Sequence, residues 1–239
     1  MKVLAVETSS AVISVAVVDE QRLLAEYILN QERNHSMKLM PVVELVLEDA
    51  SLALKDIDVF AVAHGPGSFT GLRIGVATVK GLAQALKRPV VGVPTLDGLA
   101  FNLAYVRGLI CPIMDARRAQ VYTSVYRWSG NALERLEEYS AMSVEKLIEV
   151  LNKWDEPVHF CGDGIFAYRS VIEERMRSRA VFAPPTHALQ RASSIAWLAL
   201  ERALAGDTQN YWELQPFYLR KSQAEQRFES RRQDGEAGC

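Results

Sequence analysis

The chain opens with three short, mainly apolar runs, Lys2 to Glu7, Val12 to Val18 and Leu23 to Leu29, separated by Thr8-Ser9-Ser10 and Asp19-Glu20. Runs of this length bounded by turn formers predict three antiparallel strands. The period then lengthens. Met40, Val43, Val46, Leu47 and Ala50 recur at helical spacing, with Asn34, His35 and Ser36 as capping candidates. Pro41 requires that this helix either begin near Lys38 or bend. A buried strand over Asp58 to Ala63, a breaker of Gly65, Pro66 and Gly67, and a helix over 70–86 carrying Leu72, Val76, Val79, Ala83 and Leu86 come next. A strand over Pro89 to Val93 follows that βββαβα order.

The same order restarts after Arg107. Strands over Leu109 to Met114, Gln120 to Tyr126 and Leu133 to Tyr139, a helix over Ser143 to Asn152, a strand over Pro157 to Cys161 and a helix over Phe166 to Arg175 repeat it. Duplication of this kind predicts an α/β chain of two lobes, each a mixed sheet with helices, and a cleft between them. The N-terminal lobe covers 1–106 and the C-terminal lobe 107–220, with a last helix over 193–204 free to pack back on the first lobe. Gln215 to Arg220 reads as one docked strand or extended segment, and the polar stretch 221–239 as a flexible tail.

Composition narrows the function classes. A net charge of −2, with Lys and Arg scattered, gives no general attraction for polyanions, so unaided nucleic-acid binding is not expected. Cys111, Cys161 and Cys239 are odd in number and lack a CxxC spacing, which suits a reducing compartment. With no basic-then-apolar leader and no apolar run approaching ~20 residues, a soluble cytoplasmic protein is expected.

The segment HGPGSFTGLRIG, His64 to Gly75, carries the most local information, because a strand enters a helix through glycines. Ser68 or Thr70 can cap that helix, whose free N–H groups turn positive potential toward an anion or a partner loop. Close packing of Gly71 and Gly75 against the sheet is the competing reading. A Walker loop needs Gly-Lys-Ser/Thr where Gly71-Leu72-Arg73 stand, and a dinucleotide fingerprint needs an acid where Val93-Pro94 stand. Arg73 in the first helical turn opposes the helix dipole by a few tenths of a kcal/mol, which predicts an acidic or phosphate partner. Ser68, Thr70 and Arg73 are therefore the candidate contacts for an anion or nucleotide. The four histidines, His35, His64, His159 and His187, include no i, i+4 pair, and Cys161 with His159 makes no convincing nucleophile and base. No catalytic residue and no metal ligand is assigned.

LAVETSS at Leu4 to Ser10, HGPGSFTGLRIG, GVPTLDGLA at 92–100, DARRAQVY at 115–122 and QPFYLRKS at 215–222 together resemble the TsaB (YeaZ) family of tRNA threonylcarbamoyladenosine biosynthesis proteins over nearly the whole length. The resemblance implies the ASKHA fold of actin, sugar kinases and Hsp70-like proteins, which is RNase H-like. It also implies a non-catalytic paralog of TsaD, the enzyme that transfers threonylcarbamoyl to an adenosine beside the anticodon of tRNAs reading codons that start with adenine. In TsaD the segment aligned with Val93 to Leu99 looks like VNHxEGH, whose two histidines bind the metal. Here Thr95 and Leu99 take those places, and neither supplies a nitrogen donor.

The implied partners are a TsaD-like paralog, forming a heterodimer, and a TsaE-like ATPase. Contact with tRNA comes only through that complex, a homodimer forms when the chain is alone, and no membrane is involved. No cofactor is expected on the isolated chain, with ATP or ADP and a metal ion on partner subunits. The helices around 37–50 and 70–86 look like the docking surface, with Met40, Val43, Val46, Leu47, Gly71 and Gly75 at the interface. The turns Glu7-Thr8-Ser9-Ser10 and Asp115-Ala116-Arg117-Arg118 lack the glycine through which this fold approaches phosphate. Glu7 and Asp115 remain either vestiges of that chemistry or holders of hairpin N–H groups. Gly162-Asp163-Gly164 lies where the fold often meets adenosine, or is a plain strand-to-helix turn. The alternative function is a stand-alone enzyme of the same fold, a small-molecule kinase or a glycoprotease-like metallopeptidase.

Overall fold

In the computed structural model, which describes residues 1–30 and 35–220, the first half of the chain builds a five-stranded sheet. Its strands are β1 (Val3–Glu7), β2 (Val12–Val18), β3 (Leu23–Asn30), β4 (Val59–Gly65) and β5 (Val90–Pro94), in the order β3-β2-β1-β4-β5. β1 pairs antiparallel with β2 and parallel with β4. Every residue of β1 and β2 is buried, because both faces of the sheet are covered, which is why these strands read as continuous apolar runs.

Helices α1 (His35–Asp49) and α2 (Phe69–Leu86) cover one face, where Leu39, Val42, Val43, Val46, Val76 and Val79 meet Leu4, Val6, Ile13 and Phe60. α1 starts at His35 and runs on through Pro41. The capping candidate Asn34, the tail 221–239 and Cys239 within it lie outside the described residues.

The second half repeats the plan. It contributes β6 (Leu109–Asp115), β7 (Gln120–Thr123), β8 (Tyr126–Ser129), β9 (Ala132–Arg135), β10 (Ser140–Ser143), α4 (Val144–Leu151), β11 (Val158–Cys161), α5 (Gly164–Met176) and β12 (Ala180–Phe182). The sheet order β10-β7-β6-β11-β12 matches that of the first sheet once β7 and β8 are taken as one interrupted strand. The expected strand over 120–126 is broken at Ser124 and Val125 and extends to Ser129. Ile110 faces Tyr126 and Ile113 faces Thr123 in one register, so the gap lies opposite Cys111 and Pro112. Proline has no N–H to give the ladder there. The expected strand over 133–139 ends at Arg135, where the Leu136 N–H turns back to the Val125 carbonyl (2.7 Å), and pairing with β7 resumes at β10.

Four short elements escape the sequence reading: α3 (Thr95–Phe101), β10, β12 and α6 (Pro185–Ala188). α3, from the first half, packs Leu96, Leu99 and Ala100 on Ile110, Met114 and Tyr126 of the second sheet. α7 (Ala192–Leu204), from the second half, packs on the remaining face of the first sheet, where Ala5, Ala16, Ala61 and Ala63 let it lie close. Its first N–H groups are taken by the first sheet, Ala192 by Ser14 Oγ (3.0 Å) and Ser193 by Glu26 Oε1 (3.0 Å). The halves thus exchange a helix. A βββαβα unit built twice with this strand order is the RNase H-like plan of the ASKHA fold.

Candidate functional site

Between the two sheets lies a cleft of about 1030 Å³, bounded by the β1–β2 hairpin, the starts of α1 and α2, the β6–β7 turn, Asp163 and residues 217–220. The hairpin side is pinned. Thr8 Oγ1 donates to the Gly71 carbonyl (2.8 Å), the Ser9 N–H donates to Glu7 Oε1 (2.6 Å), and Ser10 Oγ donates to Oε1 of the buried Gln190, just before α7 (3.0 Å). His35 Nε2 meets the Ser10 carbonyl at 2.9 Å. Glu7 is 1% exposed. Burial pushes its carboxyl up to about 7 against the opposing pull of the Ser9 hydrogen bonds, and the charge of Asp163 adds to the rise. A Cβ on Gly71 would run into the Thr8 carbonyl, and one on Gly75 into the Thr8 hydroxyl.

At the start of α2, Ser68 is the N-cap, its Oγ accepting from the Gly71 N–H at 3.3 Å, while Thr70 stands exposed beside it. Among the described residues Arg73 has no acidic partner. Its guanidinium lies 3.9 Å above the Phe69 ring and its Nε donates to the Tyr218 hydroxyl (3.2 Å), so the expected anionic partner is replaced by a π-face and a phenol.

The opposite turn is built differently. Arg117, Arg118 and Ala119 all have left-handed backbones, with φ of 63°, 55° and 57°. The Arg117 N–H donates to Asp115 Oδ1 (2.9 Å), and the Asp115 N–H donates to Asp163 Oδ1 (3.3 Å). Burial raises the Asp163 carboxyl to about 6, helped by the charge of Asp115 and opposed by backbone hydrogen bonds. Gly162, at φ 96°, and Gly164 both press on the Ile113 carbonyl, so this turn packs as tightly as its first-half counterpart. Asp115 and Asp163 thus line the cleft, and Glu7 lies buried close enough to feel the charge of Asp163. Among the described residues, however, no group of three or more His, Cys, Asp or Glu is placed to hold a metal ion.

Behind the cleft, α3 buries Thr95 and Leu99 on one face. Thr95 Oγ1 has no hydrogen-bond partner, and the Leu99 carbonyl accepts from Cys161 Sγ (3.3 Å). Asp97 Oδ1 accepts from the hydroxyls of both Tyr126 and Tyr139 at 2.7 Å, and burial holds its carboxyl above the usual range. Cys111, pushed up to about 12 by burial, and Cys161, raised further, are unreactive thiols.

The sequence model described as TsaD, tRNA N6-adenosine threonylcarbamoyltransferase, matches residues 22–228. The tRNA threonylcarbamoyladenosine biosynthesis protein TsaB of Bacillus subtilis is 36% identical over 225 residues, covering 94% of this chain and 96% of that protein. The protein of the same name from Escherichia coli is 29% identical over the same shares of each. The solved structure of YeaZ from Pseudomonas aeruginosa superposes with a TM-score of 0.78 at 29% identity, covering 91% of this chain and 99% of that one. The chain is a TsaD-like protein of the TsaB (YeaZ) family.

For a TsaB-family chain, the residues chosen from the sequence as interface positions need correction. Val43, Val46 and Leu47 point into the chain's own core, and Gly71 and Gly75 are covered by Thr8. Of the six, Met40 alone is exposed, and the outer face of α1 around it carries Met37, Pro41 and Leu45 together with the acids Glu44 and Glu48. The adjoining α2 exposes a stripe of small residues, Ala77, Gly81 and Ala85, flanked by exposed Thr70, Arg73 and Gln84. The apolar excess in this helix was legible in the sequence, but the residues picked came from the inward stripe. The metal motif of TsaD likewise has no counterpart in this TsaB-family chain. Leu99 is core, Thr95 offers one hydroxyl, and Asp97 is committed to two tyrosines, so these residues do not fit a metal ion.

Proposed function

We propose that this chain is a non-catalytic scaffold required for making N6-threonylcarbamoyladenosine beside the anticodon of tRNAs that read codons starting with adenine. It docks a TsaD-like transferase and works with a TsaE-like ATPase. ATP or ADP and the metal ion sit on those partners, and tRNA meets this chain only within the complex. The observation that carries the reading is the outer face of α1, where Met37, Met40 and Leu45 are 74%, 39% and 43% exposed along one helix. An apolar stripe left outside a well-filled core, beside a small-residue face, suits a pair of partner helices. The replacement of metal-ligand positions by Thr95 and Leu99 supports a role through contact.

Glutamate at Val43 or Val46 would bury a charge and unfold the chain, so the informative substitutions lie outside. Met40→Glu with Leu45→Glu should leave thermal stability within about 0.5 kcal/mol. It should also abolish co-purification with a TsaD-like protein and formation of the modified nucleoside from threonine, bicarbonate, ATP and tRNA. Undiminished product in the absence of this chain would reject the scaffold role, and intact association of the double variant would reject the face.

A further inference from the structure

After α7 the chain returns along the first sheet. Gln209 exchanges both backbone hydrogen bonds with Val90 (2.9 Å each), Leu214 enters the core, and Lys80 Nζ donates to the Leu214 carbonyl (3.1 Å). The Phe217 N–H then donates to the His64 carbonyl (2.7 Å), and its own carbonyl lies where a side chain on Gly65 would have to be. With φ at 132°, Gly65 meets a conformational demand and a spatial one at once. The Phe217 ring stands 6.0 Å from the ring of His64 in the first half and 5.8 Å from that of Tyr139 in the second. Tyr218 stacks on Phe69 at 4.5 Å, and Arg220 Nη1 reaches across to the Ala116 carbonyl (3.0 Å) in the β6–β7 turn. Residues 217–220 therefore run from one half to the other over the mouth of the cleft.

We propose that residues 215–220 are a latch that sets how far the cleft opens. The exchanged helices α3 and α7 join the halves behind the cleft, and this segment adds contacts between them at its mouth, from Phe217 to His64 and Tyr139 and from Arg220 to Ala116. Each is a stack or a single hydrogen bond, individually weak enough to be made and broken at ambient temperature. The segment also acts on the strained side. Arg220 holds the turn in which three consecutive side-chain-bearing residues are left-handed, a conformation that persists only while its surroundings impose it. Releasing the latch frees that turn and the start of α2 together.

Hydrogen exchange of the full-length protein, carrying Tyr218→Ala with Arg220→Ala or Arg220→Ala alone, tests this. The double variant should exchange roughly tenfold faster at amides of 67–71 and 116–120, with β1 and β4 unchanged and a larger radius of gyration in solution scattering. Arg220→Ala alone touches no core residue and should accelerate 116–120 by roughly threefold, which keeps the test open if the double variant misfolds. Unaltered exchange in both cleft segments overturns the latch. Equal acceleration in β1 and β4 overturns it as well, because the segment would then serve global stability and not the cleft.

Discussion

The β1–β2 hairpin and the β6–β7 turn hold the same place in the two halves of a duplicated fold, yet they are built on opposite principles. The first is mostly buried, held within itself by the Ser9 bond to Glu7 and tied to two separate segments by Thr8 at Gly71 and Ser10 at Gln190. The second is strung between Asp115, Gln120 and Arg220, carries three left-handed residues, and leaves the Arg117 side chain 83% exposed. Duplication preserved the sheet order and let the rigidity of the two turns diverge. The first half becomes a fixed platform for the outer face of α1 and α2, and the second carries the adjustable wall of the cleft. The wall meets the platform through a strand-to-helix turn pressed against the sheet in each half, at Gly71 and Gly162.

The largest expected effect comes from breaking the platform. Gly71→Val drives a branched side chain into the Thr8 carbonyl, backbone that cannot move without dislodging β1, and should cost about 3 kcal/mol or more in urea denaturation. Gly81→Ala, on the same helix with open space around it, should instead stabilise by up to about 1 kcal/mol. A Gly71→Val protein as stable as its parent would show that the hairpin is not pinned.

Next in size is the buried acid. The carboxyl of Glu7 titrates near 7 when folded against an ordinary 4.5, so between those values the folded state keeps a proton that the unfolded chain releases. Stability is therefore greatest below pH 4.5 and falls as pH rises to 7, by about 3 kcal/mol in total from this group. Glu7→Gln keeps an acceptor for the Ser9 N–H and removes that slope. Chemical denaturation at pH 5 and pH 8 should show the variant gaining on the parent at the higher value. Asp115→Asn, at the matching position of the open turn, should change stability by no more than about 0.5 kcal/mol at either pH. Equal responses from the two would erase the distinction between pinned and open turns.

Much of this contrast was legible in the sequence, and the rest was hidden for definite reasons. Val12 to Val18 and the helix carrying Leu72, Val76, Val79 and Ala83 announce themselves by period, because burial on one face or both is what sets the period. Thr95–Phe101 does not, since it spans under two turns, follows Pro94 directly and has no capping side chain. The break at Ser124 and Val125 has Pro112 as its signal, but that proline points to it only once the register with β6 is known. In α1 the pattern revealed two apolar stripes but not which faces the sheet; only the sheet's position assigns Val43 inward and Leu45 outward. Asp97 was invisible as a site residue because its two partners lie 29 and 42 residues away in the other half, Tyr126 on β8 and Tyr139 between β9 and β10. For Arg73 the sequence predicted an acidic or phosphate partner, whereas the described contacts are the neighbouring Phe69 ring and the Tyr218 hydroxyl, 145 residues further along.

The smallest effect is the most specific to the open turn. Ala119 has φ of 57°, where an alanine is strained by about 1 kcal/mol and a glycine is not. Ala119→Gly should therefore stabilise the folded protein, although the added freedom of the unfolded chain trims the gain to about 0.5 kcal/mol. Ser10→Gly, at the corner of the closed hairpin, should do the reverse. Ser10 is not left-handed, and its hydroxyl both accepts from the Val12 N–H (3.1 Å) and donates to Gln190, so glycine there removes two hydrogen bonds and adds freedom only to the unfolded state. The loss should be about 1 to 2 kcal/mol, read as a shift in denaturation midpoint at constant slope. Opposite signs for a glycine placed in the two matching turns follow from strain in one turn and its absence in the other. If Ala119→Gly destabilises as Ser10→Gly does, the β6–β7 turn holds no strain for a latch to restrain.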